Sequence, residues 1–184
     1  MVATKKISFH LKEVSCFTKG KLGKKYQFGR QIQLGRIKGN FFFVGECESV
    51  PMPDKTSLPL MIQEHQNLFN KAKVNSVSTD KGYYSKQNEK FLKKSDVNEI
   101  AIQRPHNIKK RPLKPLSKLR EEELVNRRSG IEPLIGHIKQ GGQLGRSRMK
   151  SDAAIKSSAY TSVLGFNLRQ LIWKQKLPNK KKIA

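Results

Sequence analysis

The sequence predicts an α/β fold: an antiparallel hairpin, then helices and strands in alternation, then C-terminal helices. Three observations carry this. "YQFGRQIQLGR" and "FFFVGECESV" are β-type runs separated by "IKGN", the pattern of two strands and a turn. Downstream, short β-rich runs alternate with stretches of helical period, as crossover units of a sheet do. The final sixty or so residues carry two long helical patterns divided by a glycine pair at Gly141 and Gly142.

Residues 1–18 read as an irregular basic lead-in, and the glycines of "FTKGKLGKK" place a turn near Gly20–Gly23. Tyr26 to Leu34 alternates apolar and polar residues, the period of a half-buried strand. In "PMPDKTSLPLMIQEHQNLFNKAK", Asp54, Thr56 or Ser57 is the expected helix cap. Leu58, Met61, Ile62, His65, Leu68 and Phe69 fall on one face of that helix. Val74 to Thr79 reads as a short buried strand that ends at Asp80 and turns at Gly82. "SKQNEKFLKKSD" is a short helix, and "NEIAIQRP" is a strand stopped by Pro105. "HNIKKRPLKPL" is a basic, proline-bearing loop. "SKLREEELVNRRSGIEPLIGHIKQ" has helical pattern, with either a kink at Pro133 or a new helix that begins there. "SDAAIKSSAYTSVLGFNLRQLIWKQKL" is the last helix, with Phe166 and Trp173 expected to pack on the sheet; a basic tail follows at 176–184.

The 184 residues carry 38 Lys and Arg against 14 Asp and Glu, a formal net charge of +24. Such a charge favours a polyanionic partner, nucleic acid foremost. It is unevenly spread: seven basic residues and no acid lie between Ile100 and Arg120, and thirteen against two lie from Leu124 onward. That concentration suits a binding surface. No apolar run approaches the roughly 20 residues of a membrane-spanning helix, and no membrane partner is expected. Cys16 and Cys47 form no metal-binding or redox pair, and His10, His65, His106 and His137 lack ligand spacing.

Within that basic second half, "NRRSGIEPLIGHIK" keeps one acid, Glu132. On a continuous helix Arg128, Glu132 and Lys139 share a face, so an ordinary surface ion pair accounts for them as well as a site does. Asp80 stands at the C-terminal end of a strand, where α/β sheets place ligand groups and where turn-capping aspartates also occur. A strand-end Asp and a helix Glu in so basic a chain suit carboxylates holding Mg²⁺ or Mn²⁺ beside a phosphate backbone. Arg128 and Lys139 then bind phosphates. Arg127 and the loop residues Arg146, Arg148 and Lys150 are further DNA-binding candidates, a solvated loop being the plain alternative. Tyr83 and Tyr84 either stack on bases or pack in the core.

"TDKGYYSKQNEKFLKK", "NRRSGIEPLIGHIK" and "LGRSRMK" resemble the C-terminal part of the DDE-type insertion-sequence transposases of bacteria and archaea. "KGKLGKKYQFG" and "DKTSLPLMIQEH" extend the likeness to about residues 19–173. The resemblance implies an RNase H-like catalytic fold and metal-dependent DNA strand cleavage and transfer in a cytoplasmic, nucleoid-associated setting. The family's second acid falls on Asp80. Its Arg–three residues–Glu–six residues–Lys signature falls on Arg128, Glu132 and Lys139, while Val125 stands where the family has Tyr.

Such an enzyme needs three carboxylates, the first on a central strand upstream of "KGK". Residues 1–18 contain no Asp, and Asp54, Glu46 and Glu48 are not at the required place. The expectation is therefore a truncated catalytic domain over 19–175, a partial RNase H-like fold without its first central strand. It would bind DNA, cleave poorly and be marginally stable. Its expected partners are transposon ends and target DNA, together with a homo-oligomer or the missing N-terminal part. A non-catalytic basic nucleic-acid-binding protein, ribosomal- or nucleoid-like, is the alternative.

Overall fold

The computed structural model describes residues 14–18, 26–47, 52–70, 72–105, 114–146 and 148–180. In chain order they form β1 (Ser15–Thr18), β2 (Tyr26–Gly29), β3 (Gln33–Arg36), β4 (Phe42–Glu46) and α1 (Asp54–Leu68). Then follow β5 (Ser76–Thr79), α2 (Lys86–Lys94), β6 (Glu99–Ile102), α3 (Lys118–Ser129), α4 (Ile131–Gly141) and α5 (Asp152–Lys180). The strands make three two-stranded sheets, β1 with β2, β3 with β4, and β5 with β6. The expected alternation of strand and helix after the hairpin is present. The chain divides into two compact units, residues 53–135 and residues 1–52 with 136–184.

In the first of these, β5 and β6 run parallel with Val77 opposite Ile100, and α2 is the crossover between them. Ser85 caps α2 by accepting the Asn88 N–H at 3.0 Å, and Lys93 and Lys94 end it where the helix dipole is negative. Leu58 and Ile62 of α1, Val77, Leu92, Val97 and Ile100 form the core. Leu58 and Ile62 were expected on that face, but Leu68 and Phe69 are exposed because α1 ends as it leaves the core.

Pro59 sits inside α1 and has no N–H to offer the Lys55 carbonyl one turn earlier. The buried Asn88 amide takes that carbonyl at 2.8 Å and the Tyr83 carbonyl at 2.7 Å. One side chain thus joins α1, the turn after β5 and α2, and the proline's lost bond is replaced across elements.

Helix α3 is held on the parallel pair by two polar contacts. The Ser78 hydroxyl donates to the Leu124 carbonyl at 2.9 Å. Arg120 grips Glu99 with two N–H groups, at 3.0 and 2.9 Å. That contact holds the Glu99 carboxyl below its usual range.

In the other unit, β1 pairs with β2, Cys16 opposite Phe28. Ser15–Thr18 is therefore a strand, although the lead-in was read as irregular; its partner lies across residues 19–25, and short-range pattern does not reveal a pairing partner. The expected turn near Gly20–Gly23 lies outside the described residues, as does the basic loop read over 106–116 except for 114–116, which are neither helix nor strand. The predicted hairpin turn is present between β3 and β4, with Gly39 and Asn40 at positive φ of 83° and 62°. The strand read over Tyr26–Leu34 is divided, however, β2 pairing with β1 and only β3 with β4. Gly35 faces Phe43 across this hairpin, and any Cβ there would run into the Phe43 ring.

Phe42 meets Phe166 of α5 edge-on, with ring centroids 5.4 Å apart. The Asn167 side-chain oxygen accepts the Phe42 N–H at 2.9 Å, and its NH₂ donates to the Phe42 carbonyl at 2.8 Å. Phe166 packs as expected. Trp173 does not: it is 59 % exposed although it continues the stripe of Ile155, Ala159, Ser162, Val163 and Phe166, because among the described residues α5 buries nothing beyond Phe166. Helix α5 also continues to Lys180, past the start of the stretch read as a tail.

Leu92→Ala should lower stability by about 2–5 kcal/mol, since Leu92 is fully buried. Asn167→Leu should cost about 1–3 kcal/mol by leaving both Phe42 backbone groups unpaired. Denaturant melts of the purified variants measure both.

Candidate metal and nucleic-acid site

Asp80 follows the last residue of β5, at the C-terminal end of the parallel pair. Its Oδ1 accepts the Gly82 N–H at 2.9 Å and so caps the single 3₁₀ turn Lys81–Tyr83. The capping role and the site role are compatible, because the second oxygen is left over. Arg128 Nη2 lies 3.3 Å from that Oδ2 and 3.8 Å from Glu132 Oε1. One guanidinium nitrogen therefore joins the strand end to the start of a helix.

The arrangement depends on a break between two helices. Gly130 separates α3, which ends with Arg128 in its last turn, from α4, which begins at Ile131. Of the two alternatives left by Pro133, a new helix is what forms, with Pro133 third in it, where its missing N–H has no intrahelical partner to lose. The single-helix geometry expected for Arg128 and Glu132 is thus corrected: they flank a break, and the contact survives it. Glu132 lies in the first turn of α4, where a carboxylate suits the helix dipole.

A fourth group was not anticipated. A Cβ built on Gly82 would stand 2.9 Å from Asp54 Oδ2 and 3.2 Å from Asp80 Oδ1, so both carboxylates crowd this glycine. In the sequence Asp54 looked like a helix cap, and nothing local links it to a residue twenty-six positions on. Tyr83 feels the same charges: burial first, then Asp54 and Asp80, push its hydroxyl up to about 12, against a hydrogen bond with Ser57. Tyr83 packs against the core and Tyr84 lies under the Arg104 guanidinium, 5.9 Å from centroid to carbon. The core reading holds for Tyr83, whereas Tyr84 meets a guanidinium instead of the core.

The donor set fits a small divalent cation. Both reachable ligands are hard carboxylate oxygens, and both approach one point, marked by Arg128 Nη2. Asp80 and Glu132 keep 40 % and 73 % side-chain exposure, so an ion has access. Among the described residues no group of three or more His, Cys, Asp or Glu is arranged to hold a metal.

Of the remaining candidates, Arg127 is exposed near the end of α3, and Lys139 is exposed on α4, the helix that carries Glu132. Arg146, Arg148 and Lys150 are exposed in the irregular segment between α4 and α5. Lys139 and these three fall in the unit that begins again at Gly136, whereas Asp80, Arg128 and Glu132 share the other.

A family model for the transposase DDE domain matches residues 54–168, more than half of the chain. The chain belongs to the DDE transposase family. The match covers Asp80, Arg128, Glu132, Lys139 and the basic segment after α4. Membership makes transposition the function to which the chain is related and DNA the partner that family acts on. No curated protein and no solved structure matches the chain. No helix among the described residues is long and apolar enough to cross a membrane.

The crowding of Tyr83 by two carboxylates has a measurable sign. Above pH 10 an unfolded chain ionises this tyrosine while the folded one keeps its proton, so the tyrosine's contribution to stability is lost as pH rises from about 10 to about 12. Tyrosinate absorbance, taken as the difference from Tyr83→Phe, should show the late ionisation. Asp80→Asn or Asp54→Asn should bring it to lower pH. An unchanged midpoint in both variants would mean the carboxylates do not face the hydroxyl.

Proposed function

We propose that this chain carries the second and third catalytic acids of a DDE transposase, Asp80 and Glu132, on a partial RNase H-like scaffold. The observation that carries the reading is the meeting of these two carboxylates at Arg128, from a strand end and a helix start, inside the segment the family model covers.

Asp80 and Glu132 would hold Mg²⁺ or Mn²⁺. When bound, such an ion supplies activation of an attacking water or 3′-hydroxyl and offsets charge on the leaving oxygen. The protein's own share is positioning. The Gly82 N–H fixes the rotation of the Asp80 carboxylate, leaving Oδ2 directed at Arg128. The first turn of α4 presents Glu132. Arg127, Arg128, Lys139, Arg146, Arg148 and Lys150 bind backbone phosphates, which fixes the DNA in register without reading its sequence.

The same chain should bind DNA well and cut it poorly. Binding draws on a net charge of +24. Cleavage by this family calls for a third carboxylate, and the described residues assemble no three-ligand metal group. The chain would then work with a separate segment that supplies the first acid.

Two assays test this. Duplex DNA affinity should fall steeply with salt. Replacing Arg146, Arg148 and Lys150 by Ala should flatten the log–log slope by about 2 to 3, near one for each lost phosphate contact. Affinity that ignores salt would remove the phosphate-backbone reading. Supercoiled plasmid with Mg²⁺ or Mn²⁺ should show little nicking. Robust metal-dependent nicking that disappears in Asp80→Ala would overturn the claim of poor cleavage while supporting the site.

A further inference from the structure

A phosphate-binding arginine is expected to present its fork to solvent. Arg128 instead turns Nη2 toward Asp80 Oδ2 and Glu132 Oε1, and it is the least exposed of the three side chains, at 24 %. Two carboxylates directed at one point repel each other unless a cation stands between them. Here that cation is the guanidinium.

We propose that Arg128 is a positioning residue that occupies the cation's place between Asp80 and Glu132 and is displaced when a divalent cation binds. The proposal rests on the reading of Asp80 and Glu132 as a cation site. Carboxylate oxygens bind Mg²⁺ at about 2.0–2.1 Å, closer than the 3.3 and 3.8 Å at which they face the guanidinium nitrogen, so on an ion they draw in and leave it no place between them. Arginine cannot give way by losing its proton, so it has to move. Arg128 is the last but one residue of α3, and Gly130 follows at the break, so its side chain starts from a helix end with room to reorient. Once displaced, its fork is free for a phosphate oxygen beside the ion. Cation binding and DNA binding are thereby coupled, each favouring the other through one side chain.

The test is direct Mn²⁺ binding to the full chain without DNA, read from the electron paramagnetic resonance signal of free Mn²⁺. Arg128→Gln should bind Mn²⁺ roughly three- to tenfold more tightly than the unmodified chain, the range set by one or two half-exposed ion pairs. Arg128→Lys, which keeps a cation there, should stay near the unmodified value. Equal or weaker binding by Arg128→Gln overturns the proposal and leaves the cation site standing. Absence of Mn²⁺ binding in both proteins overturns the cation site as well.

A second readout needs no variant in the measured sample. In ¹⁵N-edited spectra of the unmodified protein, the Arg128 Nε–H signal should shift and exchange faster with solvent as Mg²⁺ saturates. A signal indifferent to Mg²⁺ would also overturn the proposal. A merely structural arginine would alter melting temperature on substitution without tightening Mn²⁺ or answering to Mg²⁺.

Discussion

The approach of Asp80 to Glu132 through one arginine nitrogen is the constraint on which the rest of the functional reading depends. At this level of exposure each ion pair contributes only about 0–1 kcal/mol. The pairs therefore do not build the site. The fold builds it, and the arginine records that the carboxylates have been brought within reach. Asp80 is placed by the parallel pair β5 and β6, whose register puts Thr79 opposite Ile102. Glu132 stands in the first turn of α4, directly after α3, and α3 is fixed to the same pair by the Ser78 hydroxyl and by the Arg120–Glu99 grip.

Those contacts sit above a small apolar core, and polar bookkeeping decides how its pieces meet. Pro59 would ordinarily weaken a helix interior. Here the carbonyl it frees becomes the acceptor for Asn88, and Asn88 in turn fixes the Tyr83 carbonyl, three residues from Asp80. A helix defect, a buried amide and the shape of the turn that holds Asp80 are thus one connected arrangement. Asp54, first residue of that same helix, brings its carboxylate against Gly82.

Much of this was legible in the sequence where the signal is local. Alternating β-rich and helical stretches gave β5, α2 and β6, with Asp80 just past a strand. The pairing of Asp80 with the Arg128 region came from residue type, strand-end position and spacing, and the structure places those residues together. The misses are tertiary. Ser15–Thr18 is a strand because Tyr26–Gly29 pairs with it, which its own composition does not announce. Periodicity runs smoothly through "RRSGIEP", so the separation at Gly130 was hidden by a pattern that both helices share. Trp173 looked like core by residue type, yet it stands two turns beyond Phe166, where the buried stripe of α5 ends among the described residues. Asp54 passed for an isolated cap because only the fold brings Gly82 to it.

The central claim is that Asp80 and Glu132 form one divalent-cation site. Paramagnetic line broadening by substoichiometric Mn²⁺ tests it most directly in the folded chain. The account predicts that the amides of Gly82 and Glu132 broaden first and together, ahead of other exposed acids such as Asp96 and Glu123. Broadening that begins at those surface acids, or that reaches Gly82 without Glu132, would contradict it.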